Sequence, residues 1–254
     1  MLRTRVIPTL LIKDRGLYKG VKFKNHKYVG DPINTVKIFN EKEVDEIVLL
    51  DIEASKKNKM IDFEMIAEIA TEAFIPLAYG GGIRTFEDAK KLFSLGIEKV
   101  ILNTAAIENE ELMRELIVYF GSQSIVLSLD IKKSFFGKYS LYTKSGTQKT
   151  KQDPITFALK MEKIGVGEII VNSIDNDGKG EGYDKDFLSI ISKKLTIPIV
   201  ASGGAGTIVD FKEAVDSGAD AVAAGSMFVY HGPHKAVLIS YPRYETLIKL
   251  FNKD

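Results

Sequence analysis

One short stretch that occurs twice constrains this chain more than any other. It reads Ile75-Pro76-Leu77-Ala78-Tyr79-Gly80-Gly81-Gly82, and 122 residues later Ile197-Pro198-Ile199-Val200-Ala201-Ser202-Gly203-Gly204. Each copy is an apolar run of strand length that ends in glycines, which lets backbone amides approach a phosphate ahead of a helix. At the same offset Glu46 matches Glu168, Ile52 matches Ile174 and Thr104 matches Ser226, so register holds over about sixty residues without a gap. The chain is therefore expected to be two related halves, each carrying a candidate phosphate cradle.

Apolar runs alternate with amphipathic stretches eight times along the 254 residues. The runs are Val6 to Ile12, Glu46 to Ile52, Ile75 to Gly80, Lys99 to Asn103, Ser124 to Asp130, Glu168 to Ser173, Ile197 to Ser202 and Ala219 to Gly225. Helical patterns fall at Asp31 to Val44, Asp62 to Glu72, Thr85 to Leu95, Asn109 to Phe120, Asp153 to Ile164, Asp184 to Lys194, Ile208 to Ser217 and Pro242 to Phe251, often opened by Asp or Thr suited to capping. Strands that are nearly continuous Val, Ile and Leu belong to a parallel sheet covered by helices. The expected class is α/β, a (β/α)8 TIM barrel with a half-barrel internal repeat, forming a single domain over 1–254 with halves near 1–120 and 121–254. Two long loops, Asp14 to Gly30 and Lys132 to Gln152, follow strand C-termini on the face where such barrels carry chemistry, and the second has room for a small hairpin.

The balance of charges is +1, which gives no basic stripe for nucleic acid, and the absence of cysteine removes disulfides and thiolate chemistry. No run approaches the roughly 18 apolar residues of a membrane span, so a cytoplasmic protein is expected. His26, His231 and His234 lack metal-ligand spacing, and no Rossmann or Walker motif is present, so neither a metal nor another cofactor is expected.

Candidate site residues gather at strand C-termini. Gly81 and Gly82 combine with Asn103 and Thr104 into one phosphate candidate; Gly203 and Gly204 combine with Gly225, Ser226, Asp177 and Gly178 into the other. Two such sites a barrel's width apart imply a ligand with a phosphate at each end. Asp130 closes its strand and is placed to act as general acid or base, or to form a loop salt bridge. Lys19 either meets an anionic substrate or stands at the surface. At the opposite strand ends, Arg5, Glu46, Lys99 and Glu168 form a neutral ring of ion pairs across the floor or remain solvated strand ends, while Val48, Leu50 and Ala78 would line a narrow apolar axis.

Asp51-Ile52, Gly80-Gly81-Gly82-Ile83-Arg84, Asn103-Thr104-Ala105-Ala106, Phe120-Gly121-Ser122-Gln123, Ser173-Ile174-Asp175-Asn176-Asp177-Gly178, Gly182-Tyr183-Asp184 and Ala201-Ser202-Gly203-Gly204-Ala205-Gly206 together resemble the cyclase subunit of imidazole glycerol phosphate synthase. The sister isomerase family shares the half-barrel repeat and phosphate sites, but Phe120 to Gln123 and the Gly-Tyr-Asp run are similar to the cyclase. The resemblance implies a barrel that receives ammonia from a glutaminase in a heterodimer docked at the N-terminal face, with Glu98 in contact. It implies an enzyme of histidine biosynthesis that joins ammonia to a bis-phosphate ribulosyl-formimino intermediate, giving imidazole glycerol phosphate. By the same resemblance Asp130 is a catalytic acid-base and Lys19 a substrate contact; Gly82, Asn103, Thr104, Asp177, Gly178, Gly204, Gly225 and Ser226 hold phosphates; and Arg5, Glu46, Lys99 and Glu168 form the ammonia gate.

The chain departs from that family at strand one. Its residues Leu10-Leu11-Ile12-Lys13 parallel Leu129-Asp130-Ile131-Lys132, yet Leu11 stands where the family has a second catalytic aspartate. Thr9 replaces a usual cysteine, and Glu53, Asn172 and Lys179 replace threonines. Two versions follow: a working cyclase, with Glu53 or Asp14 partly covering for Leu11, or a cyclase-deficient paralogue that relays ammonia to another reaction such as acetamidino-sugar synthesis for surface glycans.

Overall fold

The eight apolar runs pair edge to edge and close on themselves in a computed structural model that describes residues 4–232 and 234–252. The barrel strands are β1 (Arg5–Lys13), β2 (Ile47–Asp51), β3 (Leu77–Gly80), β4 (Lys99–Leu102), β5 (Ile125–Lys133), β6 (Glu168–Ser173), β7 (Ile199–Ser202) and β8 (Ala221–Ala224). Each is parallel to the next in sequence, and β8 returns to β1 through Arg5 opposite Ala221 and Pro8 opposite Ala224. The sheet has no free barrel edge, as expected for a (β/α)8 barrel.

Side chains alternate about each strand and so form two apolar bodies. The outward set, among it Val6, Leu10, Leu49, Tyr79, Leu127 and Val222, packs against the helices. The inward set, Ile7, Val48, Ala78, Ile101, Val126, Ile170, Val200, Ala221 and Ala223 with Leu50 against it, fills the axis. The helices start where expected because a side chain takes the free amides there: Asp31, Asp62, Asn109, Asp153 and Asp184 each accept from an amide three residues on. The repeat persists at this level. Asp88 accepts from the amides of Arg84 and Thr85 at 3.0 Å each, and Asp210 accepts from those of Gly206 and Thr207 at 2.8 and 2.7 Å.

Both long segments are hairpins. The second is the small hairpin expected, with β5 running on to pair with Tyr139–Thr143, which pairs in turn with Gln148–Lys149. The first, expected as a loop, is also a hairpin: Gly16–Val21 pairs with the end of β1 and with Lys24–Gly30. Its two turns place Asp14 and Arg15, then Lys22 and Phe23, in the left-handed region without a glycine at the centre. Short helices at Thr104–Glu108 and Ser226–Val229 occupy equivalent places in the two halves. No helix among the described residues is long and apolar enough to cross a membrane.

Candidate active site

The inward positions of the strands grade from charged to apolar to polar along the axis. At the floor, Arg5 donates to Glu46 at 2.5 Å and to Glu168, while Lys99 donates to both carboxylates at 2.9 Å. The four side chains that sequence leaves either ringed or solvated thus converge on the axis as a closed alternating ring. Both carboxylates are nearly buried, with side chains 6% and 8% exposed. Burial pulls against the Arg5 guanidinium's charge, but Glu168 and Glu46 outweigh it and its pKa is raised. Exposed Glu98 stands beside this floor, its amide donating to the Leu77 carbonyl at 2.8 Å.

Above the apolar layer the strands end in a cavity of about 1190 Å³, including its open mouth. Lys19, Gly82, Asn103, Thr104, Asp130, Asp177, Gly178, Gly204, Gly225 and Ser226 all line it, so the structure brings both phosphate candidates, Asp130 and Lys19 into one space. Leu11 lines it too, and contributes only carbon.

The two glycine pairs sit on opposite flanks. The Gly82 amide donates to Ser55 Oγ at 3.2 Å, and Asn103 Nδ2 holds the carbonyls of Ser128 and Tyr142 at 3.0 and 3.1 Å. The Lys144 amide donates to Thr104 Oγ1 at 3.1 Å, so this cradle anchors the second hairpin. On the other flank the Gly182 amide donates to the Gly204 carbonyl at 2.9 Å, and a Cβ on Gly204, at φ +128°, would overlap the Gly182 carbonyl oxygen. Gly204→Ala is therefore expected to cost about 1 to 3 kcal/mol in urea unfolding. Gly178 backs onto Gly20 of the first hairpin, where the Lys22 amide donates to the Asp177 carbonyl at 3.0 Å.

Two buried ionisable groups face this space. Asp130 is pushed up to about 7 by burial, against the Ser128 hydroxyl and the Asn172 side chain, which favour its charge. Lys19, which sequence leaves either at a substrate or at the surface, is buried and donates to the Thr9 carbonyl at 2.5 Å. Burial brings it down to about 8, with Asp177 pulling the other way. Asp177 itself is raised by burial against the pull of Lys19. A base poised near neutrality in the same cavity as a cation that discharges slightly above it suits proton transfer on an anionic substrate.

Other carboxylates near the mouth are committed elsewhere. Asp51 lines the cavity but accepts from the amides of Glu53 and Ala54 at 2.9 Å each, a local capping role. Glu53, expected to cover for Leu11, is not a cavity residue: Lys57, Lys59 and Lys13 surround it and hold it down at about 2, against the effect of burial. Asp14, the other stand-in, pairs with Lys59 at 2.7 Å. Asp175 accepts from the Lys133 amide at 3.0 Å and ties down the second hairpin. Of the histidines, His26 lines the cavity, and His231 and His234 are exposed beyond it.

Thr9 and Asn172, marked in the sequence only as departures from the family, line the cavity, as do Ser55, Ser128, Ser145 and Phe23, which nothing in the sequence singled out. Ser145 and Phe23 come from the two hairpins, whose tips meet where Gly146 packs on the Phe23 ring. The signal for the strand residues was present in the period of two, since Thr9, Ser128 and Asn172 fall on the inward phase of β1, β5 and β6.

Residues 5–235 match the family described as histidine biosynthesis protein. A Pseudomonas aeruginosa protein provisionally named imidazole glycerol phosphate synthase subunit hisF2 is 54% identical over 243 residues, covering 95% of this chain and 97% of its own. A Leptospira interrogans protein provisionally named imidazole glycerol phosphate synthase subunit HisF is 45% identical over 99% of this chain and 100% of its own. The Streptomyces coelicolor protein named imidazole glycerol phosphate synthase subunit HisF is 41% identical, with 89% and 90% covered.

Proposed function

The chain belongs to the histidine biosynthesis protein family, and on that premise we propose that it is the cyclase-type subunit of an imidazole glycerol phosphate synthase. In this reading a partner glutaminase docks at the floor, near Glu98, and releases ammonia through the ring of Arg5, Glu46, Lys99 and Glu168. Ammonia passes up the apolar axis to a ribulosyl-formimino bisphosphate held at the mouth. Gly82, Asn103 and Thr104 would take one phosphate; Asp177, Gly178, Gly204, Gly225 and Ser226 would take the other. Lys19 offsets substrate charge, and Asp130 moves the proton that ring closure requires. The reading also takes the chain as one cytoplasmic barrel made of two halves, near 1–120 and 121–254, and the matched Asp88 and Asp210 contacts support that division.

The observation that carries the proposal is the order of the three layers along the strands: a neutral charged ring, an apolar layer of packed side chains and a cavity with a glycine cradle on each flank. Purified chain given the ribulosyl-formimino bisphosphate with excess ammonium salt is expected to yield imidazole glycerol phosphate. Absence of that product under saturating ammonium would remove the cyclase reading.

A second reading rests on Leu11. An apolar side chain lines the cavity where a second proton-transfer group would stand, which favours a relay module that passes ammonia to another enzyme, such as one making an acetamidino sugar for a surface glycan. Both readings require the floor ring. Lys99→Met leaves two nearly buried carboxylates to Arg5 alone and, because Lys99 is partly exposed, is expected to cost about 1 to 3 kcal/mol in urea unfolding. Glutamine-driven turnover should fall further than ammonium-driven turnover, and equal losses would argue against a role in passage.

A further inference from the structure

Among the described residues, two buried side-chain polar atoms have no hydrogen-bond partner, Thr9 Oγ1 and Asn172 Oδ1. Both residues are 9% exposed, and both line the cavity. Each stands two residues beyond a member of the axial apolar layer, Thr9 after Ile7 and Asn172 after Ile170, so both sit where the bore opens into the mouth. An unpaired buried polar group costs roughly 1 to 3 kcal/mol; the Asn172 oxygen can only accept and the Thr9 hydroxyl can accept as well as donate, so both are open to a ligand that donates.

Directly below them the apolar layer offers no side-chain acceptor. Ile7, Val48, Ala78, Ile101, Val126, Ile170, Val200 and Ala223 present only carbon. Neutral ammonia crosses such a layer at far lower cost than ammonium. The orientation of the Asn172 amide follows from its neighbour: Asn172 lies directly opposite Asp130 on the adjacent strand, and a carboxylate there selects the donor end of the amide. The carbonyl end is thereby turned away from Asp130 and left for an incoming N–H.

We propose that Thr9 Oγ1 and Asn172 Oδ1 form an acceptor station that binds ammonia by its N–H groups at the upper end of the bore, beside Asp130. The inference rests on the reading that ammonia travels the axis. Two donated hydrogens leave the nitrogen lone pair free to face the cavity, where an electrophile would lie. Leu11, on the same inward face of β1 and one position up from Thr9, adds no competing acceptor.

The station is tested with Thr9→Val, which keeps the shape and removes one acceptor, and with Asn172→Leu. In ammonium-driven turnover each variant is expected to raise the KM for ammonia about tenfold, the loss of one hydrogen bond, without raising the KM for the bisphosphate. Thr9→Ser, which keeps the hydroxyl, should restore the wild-type value. Asn172→Leu should also move the rising limb of the pH profile upward, because Asp130 loses a donor. A second readout needs no turnover: bound ammonia keeps a third N–H to give to the Asp130 carboxylate, so the carboxyl carbon of Asp130, followed by NMR, should titrate about half a unit lower in ammonium chloride than in equimolar sodium chloride, and Thr9→Val should abolish the difference. Unchanged ammonia KM in both variants, or identical titration in the two salts, overturns the station. A salt-dependent titration in a wild-type chain that makes no imidazole product keeps the station and removes the cyclase reading alone.

Discussion

Asp130→Asn is expected to lower ammonium-driven cyclisation by about 10² to 10⁴, the usual worth of a positioned proton-transfer group. Asparagine fills the same space but cannot exchange a proton. The wild type should show a narrow bell-shaped pH dependence. Its rising limb lies near 7, where Asp130 ionises, and its falling limb near 8, where Lys19 discharges. The variant should lose the rising limb and keep the falling one. Stability should move in the opposite direction to activity. Asp130 takes up its proton near 7 in the fold against an ordinary value of 3.8, so its ionisation weakens the fold progressively from about pH 4 up to 7. Above that range the variant escapes the cost and should be roughly 2 to 4 kcal/mol more stable in urea, with the gap closing below pH 4. An active Asp130→Asn chain would end the assignment; a variant no more stable at pH 8 would show that Asp130 is better solvated than its surroundings imply.

Leu11→Asp is the second large effect. Leu11 lines the cavity and is replaced without disturbing the outward core, because it faces the axis side of β1. The new carboxylate would stand near the end of strand one, as Asp130 stands at the end of strand five, restoring the pair of acids implied by the half-barrel repeat. Ammonium-driven turnover is expected to rise by about 10² or more if the native chain is limited by the missing group. Burial near Lys19 and Asp130 makes the variant less stable at high pH than at low, which a paired urea series would show. A rise from measurable turnover fits the cyclase reading. A rise from nothing shifts weight to the relay, since the native chain would then lack the reaction, and no change at all would place proton transfer elsewhere.

Much of this molecule was legible in the order of its residues, and the rest was hidden for identifiable reasons. The barrel followed from eight apolar runs, and β6 was bounded to the residue as Glu168–Ser173. The cradles followed from a repeat of glycines. The first hairpin did not, because both its turns use residue pairs such as Lys22-Phe23 in place of the Asn-Gly or Asp-Gly that would advertise them. Helices of four or five residues after Asn103 and Gly225 are too short to show a period. Glu53 looked free to act at the mouth, but its fate is decided by three lysines, from strand one and from residues 57 and 59, that no local pattern ties to it. Thr9 and Asn172 stand out in the sequence only as replacements of the family's usual residues, and only the closed barrel shows that their polar atoms go unanswered.

Strand β1 carries Arg5 at the floor, Ile7 in the bore, and Thr9 and Leu11 at the mouth, all on one face. At about 3.4 Å per residue it is a single ruler of roughly 20 Å against which the whole conduit is measured. Losing or gaining two residues in it would preserve the inward and outward pattern, and the barrel could still close. Every station would nonetheless be displaced by one rung at once, so inlet and outlet can only be adjusted together.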